Sequence, residues 1–197
     1  YGGSMENRAR IVREVLQSVR GYAGGDFPVI IKLNSSDFLD GGLDVDDMLE
    51  TAALLEEDGI DAIELSGGTT YSGRNLPIRT CRIESGEDDV FYLDAARRYK
   101  ERIGVPLMLV GGIRSFFTAE RLVRENVTDF VSLCRPLIRE PGLINRWKAG
   151  DTRRSECRSD NLCYKAARSG KGIYCAAESL DREGLSPSRV APEIRSQ

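Results

Sequence analysis

The chain has 197 residues, with 28 basic and 31 acidic side chains, a net charge of −3 and no histidine. Because the two signs of charge are interspersed and no apolar run is long enough to cross a bilayer, the composition excludes an electrostatic nucleic-acid surface and a membrane span. The five cysteines are an odd number in a chain without a secretory signal, which argues against a disulfide framework and predicts a cytoplasmic protein.

The first ten residues, YGGSMENRAR, lack an initiator methionine and lead straight into a helical pattern. Ser4 is a candidate N-cap for this helix and Gly21 is a candidate stop. The opening therefore predicts that the chain is a fragment of a longer protein. Because histidine is absent, catalysis confined to this chain would have to use tyrosine, cysteine, lysine or carboxylates.

Strand and helix patterns then alternate along the chain. The predicted strands are short and apolar, and they span 27–34, 60–68, 105–112 and 128–136. The predicted helices have apolar residues at helical spacing, and they span 44–59, 90–104, 115–126 and 141–151. Asp44 is a candidate N-cap for the first of these four helices. The first strand lacks polar alternation, so we expect it to be buried on both faces. This order predicts parallel strands joined by right-handed crossovers.

Two parallel architectures accommodate four βα units, namely a small doubly wound sheet and half of a (β/α)8 TIM barrel. A complete barrel needs about 250 residues, so this chain is too short to form one. The fragment-like opening favours the half-barrel, with the strands corresponding to strands five to eight. The predicted domains are residues 1–150, which hold the βα units, and an irregular cysteine-containing tail at 151–197.

Two loops that follow neighbouring strands of the predicted barrel suit a phosphate group. Gly111 and Gly112 end the third strand, and a helix begins near Ser115, so backbone N–H groups can approach an anion there. Arg135 follows the fourth strand and can clamp the same anion. The alternative is that the glycines only make a turn and that Arg135 only pairs with an acid.

Lys32 is the charged residue within the first predicted strand. It lies near the carboxyl end, where it could offer positive charge to an anionic ligand, or it could be an edge-strand lysine that reaches into solvent. The long connection at 66–90 carries Tyr71, Arg74, Arg79 and Arg82, which suits a substrate-contacting loop or a disordered one.

The tail contains Cys157, Cys163 and Cys175 within a short span. A tetrathiolate metal site needs four cysteines, and Asp160 stands where a further cysteine would complete a C-x2-C-x2-C triplet. The set therefore suggests a degenerate cluster site, and free thiols on a solvated tail are the alternative.

Five segments, taken in order, resemble the C-terminal half of the old yellow enzyme family, the FMN-dependent NADH:flavin oxidoreductases and 2,4-dienoyl-CoA reductase-like enzymes. The segments are YGGSMENRAR, DFPVIIKLN, DAIELSGG, VPLMLVGGIRS and DFVSLCRPLIREP. The resemblance implies a flavin-binding barrel in which Gly111, Gly112, Cys134 and Arg135 bind the FMN phosphate. It also places Lys32, where the family has arginine, beside the N1–O2 edge of the flavin ring.

The resemblance also implies an enzyme that passes hydride from NAD(P)H through FMN to a small-molecule acceptor such as an activated alkene. The family residues that orient the substrate and donate the proton would precede Tyr1, so we assign no catalytic residue here and expect the isolated chain to be inactive. Asp160 replaces a cysteine of the family's cluster pattern, which argues against a 4Fe–4S cluster.

Two other functions remain open at this stage. One is a phosphate-binding TIM-barrel isomerase or lyase, and the other is a non-catalytic half-barrel scaffold. Four βα units leave two open sheet edges, so we expect the isolated chain to form a homo-oligomer, most simply a dimer.

Overall fold

The structure is a computed structural model that describes residues 1–80, 90–170 and 172–182. Its strands are β1 (Ile30–Asn34), β2 (Ala62–Ser66), β3 (Leu107–Val110) and β4 (Phe130–Ser132). Its helices are α1 (Met5–Ala23), α2 (Val45–Glu57), α3 (Leu93–Arg102), α4 (Phe116–Arg124), α5 (Arg135–Arg139), α6 (Leu143–Lys148), α7 (Leu162–Arg168) and α8 (Ala176–Arg182). None of these helices has the length and apolar character that a bilayer crossing requires.

The predicted caps position the first two helices, with one correction. The Ser4 side chain accepts a hydrogen bond from the backbone N–H of Asn7 at 3.4 Å, and the Asp44 side chain accepts one from Asp47 at 2.9 Å. The predicted stop at Gly21 is wrong, because α1 continues to Ala23 and ends at Gly24, whose φ is +81°. A glycine inside a helix costs only about 1 kcal/mol, so it need not end one.

The four strands form one parallel sheet in the order β1-β2-β3-β4. Each helix between two strands returns the chain to the end of the sheet where the strands begin, as parallel pairing requires. The predicted α/β fold of four βα units is therefore confirmed.

The two faces of the sheet differ in burial. On one face Ile63, Leu65, Leu107 and Leu109 are fully buried. On the other face the register aligns Lys32, Glu64, Met108 and Phe130 across the four strands. The outer two of these, Lys32 and Phe130, are exposed. The expectation that residues 27–34 are buried on both faces is wrong, because β1 is an edge strand whose second face meets solvent.

Two aspartates close the amino-terminal edge of the sheet in the same way, and we call each a strand-start latch. Asp129 precedes β4, and its carboxylate accepts hydrogen bonds from the backbone N–H of Leu107 at 2.7 Å and from Lys100 Nζ at 2.8 Å. Asp61 precedes β2 and accepts from the N–H of Val29 at 2.6 Å and from the Arg20 guanidinium. Each latch ties a helix to two strands.

The chain divides into two compact units. Among the described residues, the first unit consists of 1–79, 90–113 and 117–132 and contains the sheet. The second consists of 80, 114–116, 133–170 and 172–182. In the second unit the rings of Phe116 and Trp147 meet edge to face with centroids 5.9 Å apart. The short helices α7 and α8 lie within the stretch that the sequence predicts to be irregular.

Candidate functional site

The carboxyl ends of β3 and β4 lie side by side in the first unit. Val110, the last residue of β3, is in register with Ser132, the last residue of β4. Gly111 and Gly112 follow directly after β3, whereas Cys134 and Arg135 follow β4 and belong to the second unit. The predicted phosphate loops therefore leave the sheet from neighbouring strands at the edge where α/β proteins bind ligands.

The glycine pair after β3 has a left-handed backbone at both positions. Gly111 has a φ of +107° and Gly112 a φ of +80°, which favour glycine. A Cβ on Gly111 would lie 2.9 Å from Cδ2 of Phe91 and 3.1 Å from Cε2 of Tyr92. Glycine is thus required at 111 by aromatic packing as well as by backbone conformation, a reason that the sequence alone did not reveal.

The turn after β2 is built just as tightly. The Tyr92 hydroxyl donates to the carbonyl of Gly67 at 2.9 Å. A Cβ on Gly68, whose φ is +82°, would lie only 1.9 Å from the carbonyl oxygen of Asn75. The buried Ser72 hydroxyl accepts from the N–H of Thr69 at 2.6 Å and holds this loop against the strand end.

Arg79 lies in an aromatic cluster formed by Phe38, Phe91 and Tyr92. Its guanidinium carbon is 4.5 Å from the ring centroid of Phe91, 5.3 Å from that of Tyr92 and 5.4 Å from that of Phe38. These distances are within the range of cation–π attraction. Of the predicted substrate-contacting set, Arg79 is therefore packed into the molecule.

The other members of that set differ from Arg79. Tyr71 is 84% exposed and Arg74 is also exposed. Arg82 lies outside the described residues. Of the three described members of the predicted set, Arg79 is thus packed and the other two are exposed.

Lys32 forms an ion pair with Glu64, its register partner on β2. The lysine side chain is 55% exposed and the glutamate side chain 26% exposed. Sequence reasoning missed Glu64, although an acid within a predicted strand was a usable signal once the strands were known to be neighbours. The carboxylate lowers the net positive charge that Lys32 can offer to an anionic ligand.

Cys134 and Arg135 begin the short helix α5. The carbonyl of Cys134 accepts hydrogen bonds from the N–H groups of Leu137 and Ile138 at 3.0 and 3.1 Å, while its thiol is exposed. Arg135 Nη1 donates to the side-chain oxygen of Asn161 at 2.7 Å. The amide side chain of Asn161 therefore helps to hold Arg135 in place.

The three tail cysteines and Asp160 line one pocket of the second unit. The Asp160 side chain accepts from the N–H of Leu162 at 3.0 Å, so it serves the turn before α7. Within 1–80, 90–170 and 172–182, no three histidine, cysteine, aspartate or glutamate side chains are placed to hold a metal ion. The cysteines 134, 157, 163 and 175 are free thiols.

Solved structures of related proteins share this fold. A 2-naphthoyl-CoA reductase in complex with 2-naphthoyl-CoA is 28% identical, with a TM-score of 0.68 over 79% of this chain and 24% of that one. A morphinone reductase in complex with tetrahydroNAD is 25% identical, with a TM-score of 0.53 over 77% of this chain and 36% of that one.

A parallel sheet of four βα units with a glycine turn after its third strand is the arrangement expected of half of a (β/α)8 TIM barrel. The model of the NADH:flavin oxidoreductase / NADH oxidase family matches residues 1–153, and the chain belongs to that family. A 4,4'-dithiodibutanoate disulfide reductase of Rhodococcus erythropolis is 31% identical over 98% of this chain. The chain spans about half of that relative, 53% of its length.

Proposed function

We propose that the chain is the part of an FMN-dependent NAD(P)H oxidoreductase that binds the phosphate of the flavin. The observation that carries this proposal is the pair of left-handed glycines at the end of β3 in a chain of the NADH:flavin oxidoreductase family. Membership in a flavin family also favours this function over the isomerase or lyase alternative.

The residues after β3 and β4 fit an FMN phosphate in their donor chemistry. Gly111 and Gly112 carry no Cβ that would keep a dianion from the backbone N–H groups of the turn. Arg135 supplies a guanidinium, the side chain best suited to bidentate phosphate contact. Cys134, between the strand and Arg135, offers its backbone in the same loop. We assign the phosphate site to these four residues.

Lys32 would lie beside the flavin ring and stabilise negative charge on it. Lysine is a compact charge without the planar fork of arginine, so its contact is electrostatic rather than bidentate. The neighbouring Glu64 carboxylate makes this stabilisation weaker than an unpaired cation would provide. We therefore expect the flavin of the whole protein to be harder to reduce than the flavin of its Lys32→Arg variant.

When bound, FMN supplies hydride-transfer chemistry between NAD(P)H and a small-molecule acceptor. The chain's own contribution is to hold the phosphate and to place positive charge by the ring. We assign no catalytic residue to it and propose that the isolated chain is inactive. The free thiols of the described parts support a reducing compartment, and we propose a cytoplasmic location.

The test of this proposal is a comparison of FMN with riboflavin, which lacks the phosphate. The fluorescence of each flavin is measured as the purified chain is added. We expect weak, saturable binding of FMN and an affinity for riboflavin that is at least tenfold lower. Arg135→Ala should remove the difference between the two flavins, because a charge-assisted phosphate contact is worth about 1.5–3 kcal/mol.

Arg124→Ala is the matched control, since Arg124 is an exposed arginine in the last turn of α4. It should titrate like the unaltered chain with both flavins. Equal affinity of the chain for FMN and riboflavin would contradict the assignment of the phosphate site to these loops.

We also propose that the isolated chain self-associates through the open face of its sheet. Ile30 is 50% exposed and Phe130 is 54% exposed, and both lie on the face that carries Lys32. Exposed apolar side chains on a sheet with two open edges favour pairing with a second copy.

Sedimentation velocity over a wide range of concentration measures this association. We expect a dimer or larger species that Phe130→Arg converts to a monomer. Ile11→Arg is the control, because Ile11 is 52% exposed but lies on helix α1. A monomer at every concentration of the unaltered chain would rule the association out.

A further inference from the structure

The pocket of the second unit brings together three thiols that the proposed function does not use. Cys157, Cys163 and Cys175 all line it. Two residues of the connection between the first two cysteines, Ser159 and Asn161, have left-handed φ values of +56° and +62°. Both cysteines, on either side of this left-handed stretch, line the same pocket.

Cys157 and Cys163 are also close enough to interact electrostatically. Burial raises the pKa of the Cys163 thiol, and negative charge on Cys157 raises it further. Such an effect between two groups at the protein surface falls off over several ångströms. Because Cys163 stays protonated more readily, it is the poorer first nucleophile and is suited to react second.

A cation completes the pocket. Arg139 has a side chain only 12% exposed, and its Nη2 donates to Glu156 at 2.9 Å. Its Nη1 lies 3.8 Å from the sulfur of Cys175. The Arg139 guanidinium therefore lies beside the sulfur of Cys175, one of the three thiols that line the pocket.

We propose that Cys157 and Cys163 form a dithiol that hydrogen peroxide oxidises to a disulfide. The Cys157 thiolate attacks one peroxide oxygen, the O–O bond breaks, and hydroxide leaves and takes up a proton as water, which gives a sulfenic acid. The Cys163 sulfur then attacks the Cys157 sulfur, the S–O bond breaks, and the second oxygen leaves as water. Two thiols lose two electrons and one peroxide gains them.

This disulfide would affect Arg135, the arginine that we propose binds the FMN phosphate. Asn161 lies between the two cysteines in sequence, and its side chain accepts the hydrogen bond from Arg135. A bond between Cys157 and Cys163 constrains that connection and with it the position of Asn161. We infer that oxidation weakens FMN binding through Arg135, and this inference rests on the proposed function.

The experiment treats the reduced full chain with hydrogen peroxide, blocks the remaining thiols, and maps all five cysteines by mass spectrometry. We expect a disulfide between Cys157 and Cys163 and a loss of two free thiols per chain. Cys163→Ser should stop the reaction at a sulfenic acid on Cys157, which dimedone traps. Cys134→Ser should leave the disulfide unchanged.

Cys134 also distinguishes this pocket from simple exposure, because its thiol is exposed and those of the pocket are half-buried. Oxidation of Cys134 before the pocket thiols, or a disulfide between any other pair, would overturn the proposal. The FMN titration is repeated on the oxidised chain. If the reduced chain does not bind FMN, the proposed function is rejected, and the disulfide is then judged by the cysteine mapping alone. If the reduced and oxidised chains bind FMN with equal affinity, only the effect of oxidation on FMN binding is rejected.

Discussion

Gly68→Ala should destabilise the chain more than a glycine-to-alanine substitution at any other glycine that follows a strand of the sheet. Its backbone has a φ of +82°, where an alanine costs about 1–2 kcal/mol. The new Cβ would also meet the carbonyl oxygen of Asn75 at 1.9 Å, and a backbone atom cannot move aside as the tip of a side chain can. Overpacking adds about 1–3 kcal/mol, so we expect a total of about 2–5 kcal/mol.

Gly59→Ala separates the two contributions to this effect. Gly59 has nearly the same φ, +79°, but nothing lies within 4 Å of the position that its new methyl group would take. It should therefore lose only the conformational part, about 1–2 kcal/mol. Urea unfolding of both variants measures the difference. If Gly68→Ala were no less stable than Gly59→Ala, the close packing of the loop after β2 would be refuted.

Removing the latch carboxylate of Asp129 should have the second-largest effect. Asp129→Ala leaves the N–H of Leu107 without its acceptor. It also leaves the Lys100 ammonium without this carboxylate, although the lysine side chain is only 16% exposed. Breaking such a partly buried pair from one side costs about 3 kcal/mol. Asp40→Ala, at an exposed loop position, should change the free energy of unfolding by less than about 0.5 kcal/mol.

The same latch gives the stability a defined dependence on pH. Burial acts to raise the pKa of Asp129, but the hydrogen bond from Leu107 and the pairing with Lys100 outweigh it, so the pKa is lower than usual. A lowered pKa in the folded state stabilises above the ordinary aspartate pKa, and this contribution is lost as the pH falls through the folded value. The stability gap between the unaltered chain and Asp129→Asn should therefore shrink on acidification below about pH 4. A gap of constant size down to about pH 2 would contradict this role.

The order of elements was predictable because local signals agree with the fold. The Ser4 and Asp44 caps and the helical spacing in α1 and α2 are written within a few neighbouring residues, and they carry over directly into the structure. The five-residue helix α5 was not predicted, because one helical turn after a strand leaves no periodicity to detect.

The candidate site was predictable only in part, because its contacts join residues far apart in sequence. Gly111 could be singled out as a turn, but its packing against Phe91 and Tyr92 depends on where the third helix begins. The partners of Lys32 and Arg135 are Glu64 and Asn161, which strand register and the fold of the tail bring near. Such pairings are properties of topology rather than of local pattern.

The repeated latches give the sheet a modular construction. Arg20 with Asp61 closes the pair β1 and β2, and Lys100 with Asp129 closes the pair β3 and β4 in the same arrangement. Each half of the sheet therefore carries its own latch at the strand starts. A backbone cut in the connection between β2 and α3 would leave two peptides that each retain a latch, which makes this chain suited to reassembly from two complementary pieces.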